Sequence, residues 1–276
     1  MNTLPKTRST LLWSAMMMVA FVLLPAAGQS QEMLARSSDK EVKALVKDIE
    51  KAEKKFEKAL DSKFKRSIVR GASGEVNVAN YLEDLSDSID NLEKRFTGSY
   101  AASAEAAEVL DRSSLMHGYI RNNPSLKGAN EWDGVATLLQ QLAIVYGTEF
   151  PLPEGAVVRR IGDGELVDAA NALKKFSGSF DSVLKKATSK IADLKDPVKA
   201  GMDDLKSISS ASKTLASRIK SGKPASAEAR QLMEAVERVQ TLVNMDGMPD
   251  SLAAEWQAGA APVDTISQAF GLAASN

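Results

Sequence analysis

His117 is the only histidine in the chain, so any imidazole-based metal or haem chemistry would have to pass through it. Carboxylate-bridged di-iron sites in helical bundles take two Glu-x-x-His pairs on separate helices, and no such pair occurs here. Haem iron would need His117 with a methionine such as Met116 or Met245. Met116 adjoins His117, and adjacent residues cannot ligate one ion from a single helix face. Cysteine is absent, which excludes disulfides, thiolate metal sites, covalent haem attachment and a lipid-modified cysteine. We expect no metal and no cofactor.

Nucleophilic catalysis needs a serine or threonine beside a base, and the sequence contains no Gly-x-Ser-x-Gly elbow. Gly162-Asp163-Gly164-Glu165 resembles part of a phosphate-binding loop, but no strand precedes it and no Gly-Lys-Ser/Thr follows. Its simpler reading is a linker whose aspartate caps the next helix. Glu83-Asp84 and Asp203-Asp204 are sequence neighbours, pointing about 100° apart on a helix, as solvated faces do. No catalytic residue is assigned. An enzyme with a dispersed acidic site is the weaker alternative.

Lys54, Lys55, Lys58, Lys63, Lys65, Arg66 and Arg70 form the strongest charge asymmetry. Glu53, Glu57 and Asp61 interrupt the run at helical contact spacing, the pattern of a salt-laced exposed helix. Its functional reading is docking, through Lys63, Lys65, Arg66 and Arg70, to an acidic partner, a phospholipid surface or a cell-wall polymer.

The elements that position these groups follow from an internal repeat. Fourteen residues separate Trp132 from Tyr146, and fourteen separate Trp256 from Phe270. A Glu precedes each Trp, and a Gly follows each partner aromatic. At an offset of 123, Leu82, Leu85, Leu92 and Phe96 fall on Leu205, Ile208, Leu215 and Ile219. Ser103 to Ala106 falls likewise on Ser226 to Ala229, and His117 falls on Gln240. At an offset of 124, Phe56 and Leu60 fall on Phe180 and Leu184. A repeat of about 120 residues sets architecture before propensity is considered.

Apolar residues at threes and fours predict helices over 38–66, 76–96, 103–121 and 130–146, then 163–195, 200–220, 225–244 and 251–270. Gly71 and Gly74 mark a loop, and Pro197 is read as a stop. Ala156-Val157-Val158 and similar runs are too short for a sheet, so no strand is predicted. The fold class is all-α, a tandem duplication of an antiparallel four-helix bundle unit after an N-terminal signal peptide, with one merged bundle as the alternative. The domains are 1–30 for the signal, 31–150 for the first unit and 151–276 for the second. Trp132, Tyr146, Trp256 and Phe270 are expected as core aromatic anchors.

The leader reading rests on Lys6 and Arg8, the apolar run Leu11 to Leu24, and Ala26-Ala27-Gly28 as small residues for cleavage. The run is short for a bilayer span, although an uncleaved anchor is the alternative. Without Lys6 and Arg8, 33 basic residues face 36 acidic ones, a balance unsuited to coating nucleic acid. No transmembrane segment is expected in the mature chain. The function expected is a non-enzymatic binding, scaffold or adaptor protein of the bacterial envelope, periplasmic or extracellular, whose partner is a protein or another envelope component. The alternative is a small-ligand carrier or sensor-like bundle.

Overall fold

The structure, a computed structural model, describes residues 36–71, 74–189 and 191–272. The leader expected over 1–30 lies outside them. The first half contains α1 (Asp39–Ala59), α2 (Ser62–Lys65), β1 (Ile68–Gly71), β2 (Gly74–Asn77), α3 (Val78–Arg95), α4 (Ser103–Asn122) and α5 (Ala129–Val145). The second contains α6 (Asp163–Thr188), a 3-10 turn at Ala192–Leu194, α7 (Lys195–Lys220), α8 (Ser226–Val243), α9 (Asp250–Gln257) and α10 (Ala260–Ala269). The chain is therefore predominantly helical. Among the described residues no helix is long and apolar enough to cross a membrane.

Every helix but the four-residue α2 buries apolar residues. α1 begins with a capping box: the Glu41 amide donates to Ser38 Oγ, and the Ser38 amide donates to the Glu41 carboxylate at 2.7 Å. It then buries Val42, Val46, Ile49 and Phe56. In the first half α1 packs on α3 and α5, and α4 packs on the same two helices. In the second half α7 packs on α6 and α8, while α9 and α10 both lie against α6 and α8. Two hydrophobic clusters result, one from Val42 to Phe150 and one from Ile161 to Phe270. All the described residues fall in one compact unit.

Three local departures from the predicted elements have physical causes. The long first helix breaks at Leu60, which is extended (φ −63°, ψ 142°). Asp61 then caps α2 by accepting from the Lys63 amide at 2.7 Å. A hairpin follows where no strand was predicted, pairing Val69 with Val76 and Arg70 with Glu75. Each strand has four residues, too few for alternation to stand out in sequence. At the corresponding place in the second half α6 ends at Thr188, and a 3-10 turn at Ala192–Leu194 leads directly into α7.

Pro197 opens α7 instead of stopping α6. It occupies the third helical position, where its missing amide hydrogen has no intrahelical carbonyl to lose. The helix predicted over 251–270 is two pieces, with Pro262 again third in α10. Gly259 lies at the break because a Cβ there would collide with the Phe176 ring.

Candidate functional site

Phe56 on α1 meets the Trp132 ring edge-on, with centroids 4.9 Å apart and planes at 61°. Phe180 on α6 meets Trp256 in the same way, at 5.1 Å and 62°. Trp132, Tyr146, Trp256 and Phe270 are all buried, and Tyr146 donates its hydroxyl to the Ala101 carbonyl at 2.6 Å. Gly147 and Gly271, with φ of 68° and 59°, close their helices identically. Thr148 donates to the Ala143 carbonyl at 3.0 Å, and Leu272 to the Ser267 carbonyl at 2.9 Å.

The chemistry differs around the two tryptophans. Trp132 Nε1 donates to His117 Nδ1 at 3.3 Å, and His117 packs edge-on against Phe150. Burial and the nearby Arg121 hold the His117 pKa below its ordinary value, against the upward pull of Asp133. In the second half Gln240 takes the place of His117. It lines a cleft of about 170 Å³ with Met233, Glu237, Trp256, Val263 and Asp264.

The two halves are joined by a reciprocal polar lock. Arg160 donates to Asp39 Oδ1 and to the Ser37 carbonyl, both at 2.8 Å. Arg36 pairs with Asp163 and donates to the Ile161 carbonyl at 2.7 Å. Arg36, Ser37 and Asp39 precede Arg160, Ile161 and Asp163 by 124 residues each. Each of these contacts between the halves therefore has its counterpart. The Arg160 side chain is only 3% exposed, and its second amine donates to the Ile161 carbonyl. Burial raises the Asp39 pKa, with Arg160 and the Asp163 amide pulling the other way. Burial likewise lowers the Arg160 pKa.

The two sides of the lock are filled differently. On the first-half side the α6 start lies against the Gly98 carbonyl, where a Cβ on Gly164 would clash. Arg160 donates its amide to Ser103 Oγ at 3.1 Å and covers the Phe96 ring. Tyr100 and Arg95 share the Glu105 carboxylate, each at 3.0 Å. On the other side Lys40 stands for Gly164 and Lys223 for Tyr100. Arg218 still pairs with Glu228 at 3.1 Å, but Glu228 Oε2 is buried without a partner. A second cleft of about 170 Å³ remains there, lined by Arg36, Ser38, Glu41, Lys223, Ser226 and Phe270 among others.

The basic segment is divided between paired and unpaired cations. Lys54 pairs with Glu50, Lys65 with Glu57 at 3.3 Å, and Arg70 with Glu75 at 2.6 Å. Lys63 and Arg66 are exposed, with no ion-pair partner among the described residues. Ile68 at 49% and Val76 at 42% exposure lie on the hairpin that follows. Val69 faces the core, and Phe64 stacks on Tyr119 at 5.5 Å, tying α2 to α4.

No known protein family, curated protein or solved structure matches the chain.

Among the described residues no three His, Asp or Glu side chains converge as a metal set. Glu83 and Asp84 are both exposed on α3; Asp203 is exposed on α7, whereas Asp204 is half-buried and pairs with Arg238 of α8 at 2.8 Å. Asp163, read as a linker cap, instead places its carboxylate on the start of α1, where it accepts from the Asp39 amide at 2.9 Å. Sequence reasoning missed the Arg-x-x-Asp lock. The signal was present, because the offset of 124 found through Phe56 and Phe180 also carries Arg36 and Asp39 onto Arg160 and Asp163.

Proposed function

We propose that this protein is a non-enzymatic exported helical module that binds a protein or another envelope component as a scaffold or adaptor. In this reading a duplicated four-helix unit, residues 31–150 and 151–276, forms the body. The segment from Leu60 to Asn77 is the docking surface. Duplication is supported by the matched Phe–Trp pairs, the matched glycine closures and the reciprocal arginine–aspartate lock. That lock has the form of an isologous contact, in which each partner offers the same groups to the other.

One observation carries the adaptor reading: the stretch that is an exposed hairpin in the first half corresponds in the second to a 3-10 turn and the start of α7. Lys63 and Arg66 are uncommitted there, and Ile68 and Val76 are open to solvent. Exposed apolar groups and exposed cations on one short segment suit association with an anionic partner surface. A carrier is the second reading, supported by the two clefts, one beside Trp256 and one where Arg36 to Glu41 meet Lys223 to Ser226. At about 170 Å³ each they fall short of the 300–1,000 Å³ usual for enclosing a small molecule.

Native mass spectrometry of the protein purified from its source, beside Lys63→Glu/Arg66→Glu/Arg70→Glu, separates the two. An adaptor retains a macromolecular partner that the triple variant loses. A retained small molecule, equally present in both proteins, would overturn the docking assignment.

A further inference from the structure

Glu53 faces inward from the middle of α1 and is only 1% exposed, and neither carboxylate oxygen has a hydrogen-bond partner. A buried ionised carboxylate without partners is severely disfavoured, so such a group takes up a proton. The charges bearing on it are Glu50, Lys54 and Glu57 on α1 and Asp90 on α3. Lys54 is committed to Glu50, and Lys65, the next cation along, is committed to Glu57. α5, also packed on α1, carries only Glu131 and Asp133 as charged residues. Neither adds a cation. At the equivalent position in the second half stands Ser177, buried and satisfied by the Lys174 carbonyl at 2.9 Å.

We propose that Glu53 is a proton-controlled latch on the seam between α1 and α3, closed when its carboxyl is neutral and loosened when it ionises. The balance is a simple proton release: the carboxyl gives its proton to solvent, and the resulting anion has no donor inside the closed seam. Water must enter, or the side chain must leave. Burial first, and Glu57 second, push this carboxyl up to about 7, so the change falls in the neutral range. A raised pKa in the folded state gives stability that is complete below the ordinary glutamate value and is lost as pH rises through the folded one. The segment from Leu60 to Asn77 is strung between α1 and α3 and loosens with them. The latch itself holds whether or not that segment docks a partner.

Hydrogen exchange of the full chain between pH 5 and 8, corrected for intrinsic chemical rates, tests the latch. Protection of α1 and α3 amides is expected to fall about 10²-fold over that range. α6 and α7 are expected to show no matching loss, and Glu53→Gln to flatten the response of α1 and α3. Equal slopes in wild type and Glu53→Gln, or no slope in the wild type, would overturn it. Carbon NMR titration of the Glu53 carboxyl in the wild-type chain keeps the question answerable if the variant folds poorly. A midpoint in the ordinary carboxylate range sinks the latch.

Discussion

Asp39 and Asp163 cap one another's helices. The Asp39 amide donates to Asp163 Oδ2 at 2.9 Å, and the Asp163 amide reaches both oxygens of Asp39 at 3.1–3.2 Å. Each carboxylate therefore sits at the positive end of a helix it does not belong to, and an arginine from its partner's segment holds it there. The contact links residues 124 apart, so neither half completes its first helix alone.

Removing Arg160 leaves Asp39 buried without its counter-charge. Breaking one member of a buried pair costs about 3–5 kcal/mol, because the remaining charge is stranded. Arg160→Met is expected to lose that much in urea unfolding. Arg36→Met is expected to lose less, since Asp163 is the more exposed acid, at 21% against 12% for Asp39. Adding Asp39→Asn to Arg160→Met should recover part of the loss. Equal losses for the two arginine variants would show that burial does not set the strength of the lock.

The closeness of the α6 start to the Gly98 carbonyl leaves no room for a methyl group. Gly164→Ala is expected to destabilise by about 1–3 kcal/mol through backbone displacement, read as a lowered melting temperature. Lys40→Ala, at the equivalent place in α1, should change stability by less than about 0.5 kcal/mol. A neutral Gly164→Ala would mean the first-half side of the lock is as open as the other.

Trp132 and Trp256 are each wedged against a phenylalanine from the first helix of their half. Truncating either to alanine is expected to cost about 3–5 kcal/mol, a large part of an ordinary stability margin. Thermal unfolding of both variants checks this. A shift under about 2 °C for Trp132→Ala would contradict its burial.

Helix positions were legible in the sequence wherever long apolar stripes recur, as in Leu82, Leu85, Ile89 and Leu92, because burial of one face enforces the period. The matched Phe–Trp pairs could be sought through Trp, a rare residue at the same spacing from an aromatic partner in both halves. What escaped notice depended on contacts between distant segments or on a few residues of backbone geometry. The hairpin at 68–77 has too few residues to show alternation. The split at Gly259 is dictated by the Phe176 ring, far away in sequence. The Arg160–Asp39 lock is polar, so a search for apolar periodicity passed over it although its spacing obeys the same offset. The orphaned carboxylate of Glu53 was hidden inside a run of charges that reads as solvated, although its spacing from Ile49 and Phe56 puts it on the buried stripe of α1.

His117 gives the first half a second pH response, opposite in sign to that of Glu53. Its Nδ1 accepts the Trp132 indole hydrogen, and protonation would place an N–H where an acceptor is needed. Burial holds its pKa below the ordinary histidine value. A depressed pKa gives stability that is complete above the ordinary value and is lost as pH falls through the folded one. The His117 contribution to the denaturant midpoint should therefore decline from pH 7 downward to pH 5, opposing the gain that Glu53 protonation brings over the same range, and it is read in the Glu53→Gln background. Replacing His117 with glutamine, the residue the second half uses at Gln240, keeps a hydrogen-bond acceptor for Trp132 but cannot titrate. The acid-side decline is expected to shrink in His117→Gln, while the loss on the alkaline side persists. If both sides change together, His117 and Glu53 are not independent, and the aromatic cluster at Trp132 communicates with the α1–α3 seam through Phe56, one turn from Glu53 on the same helix.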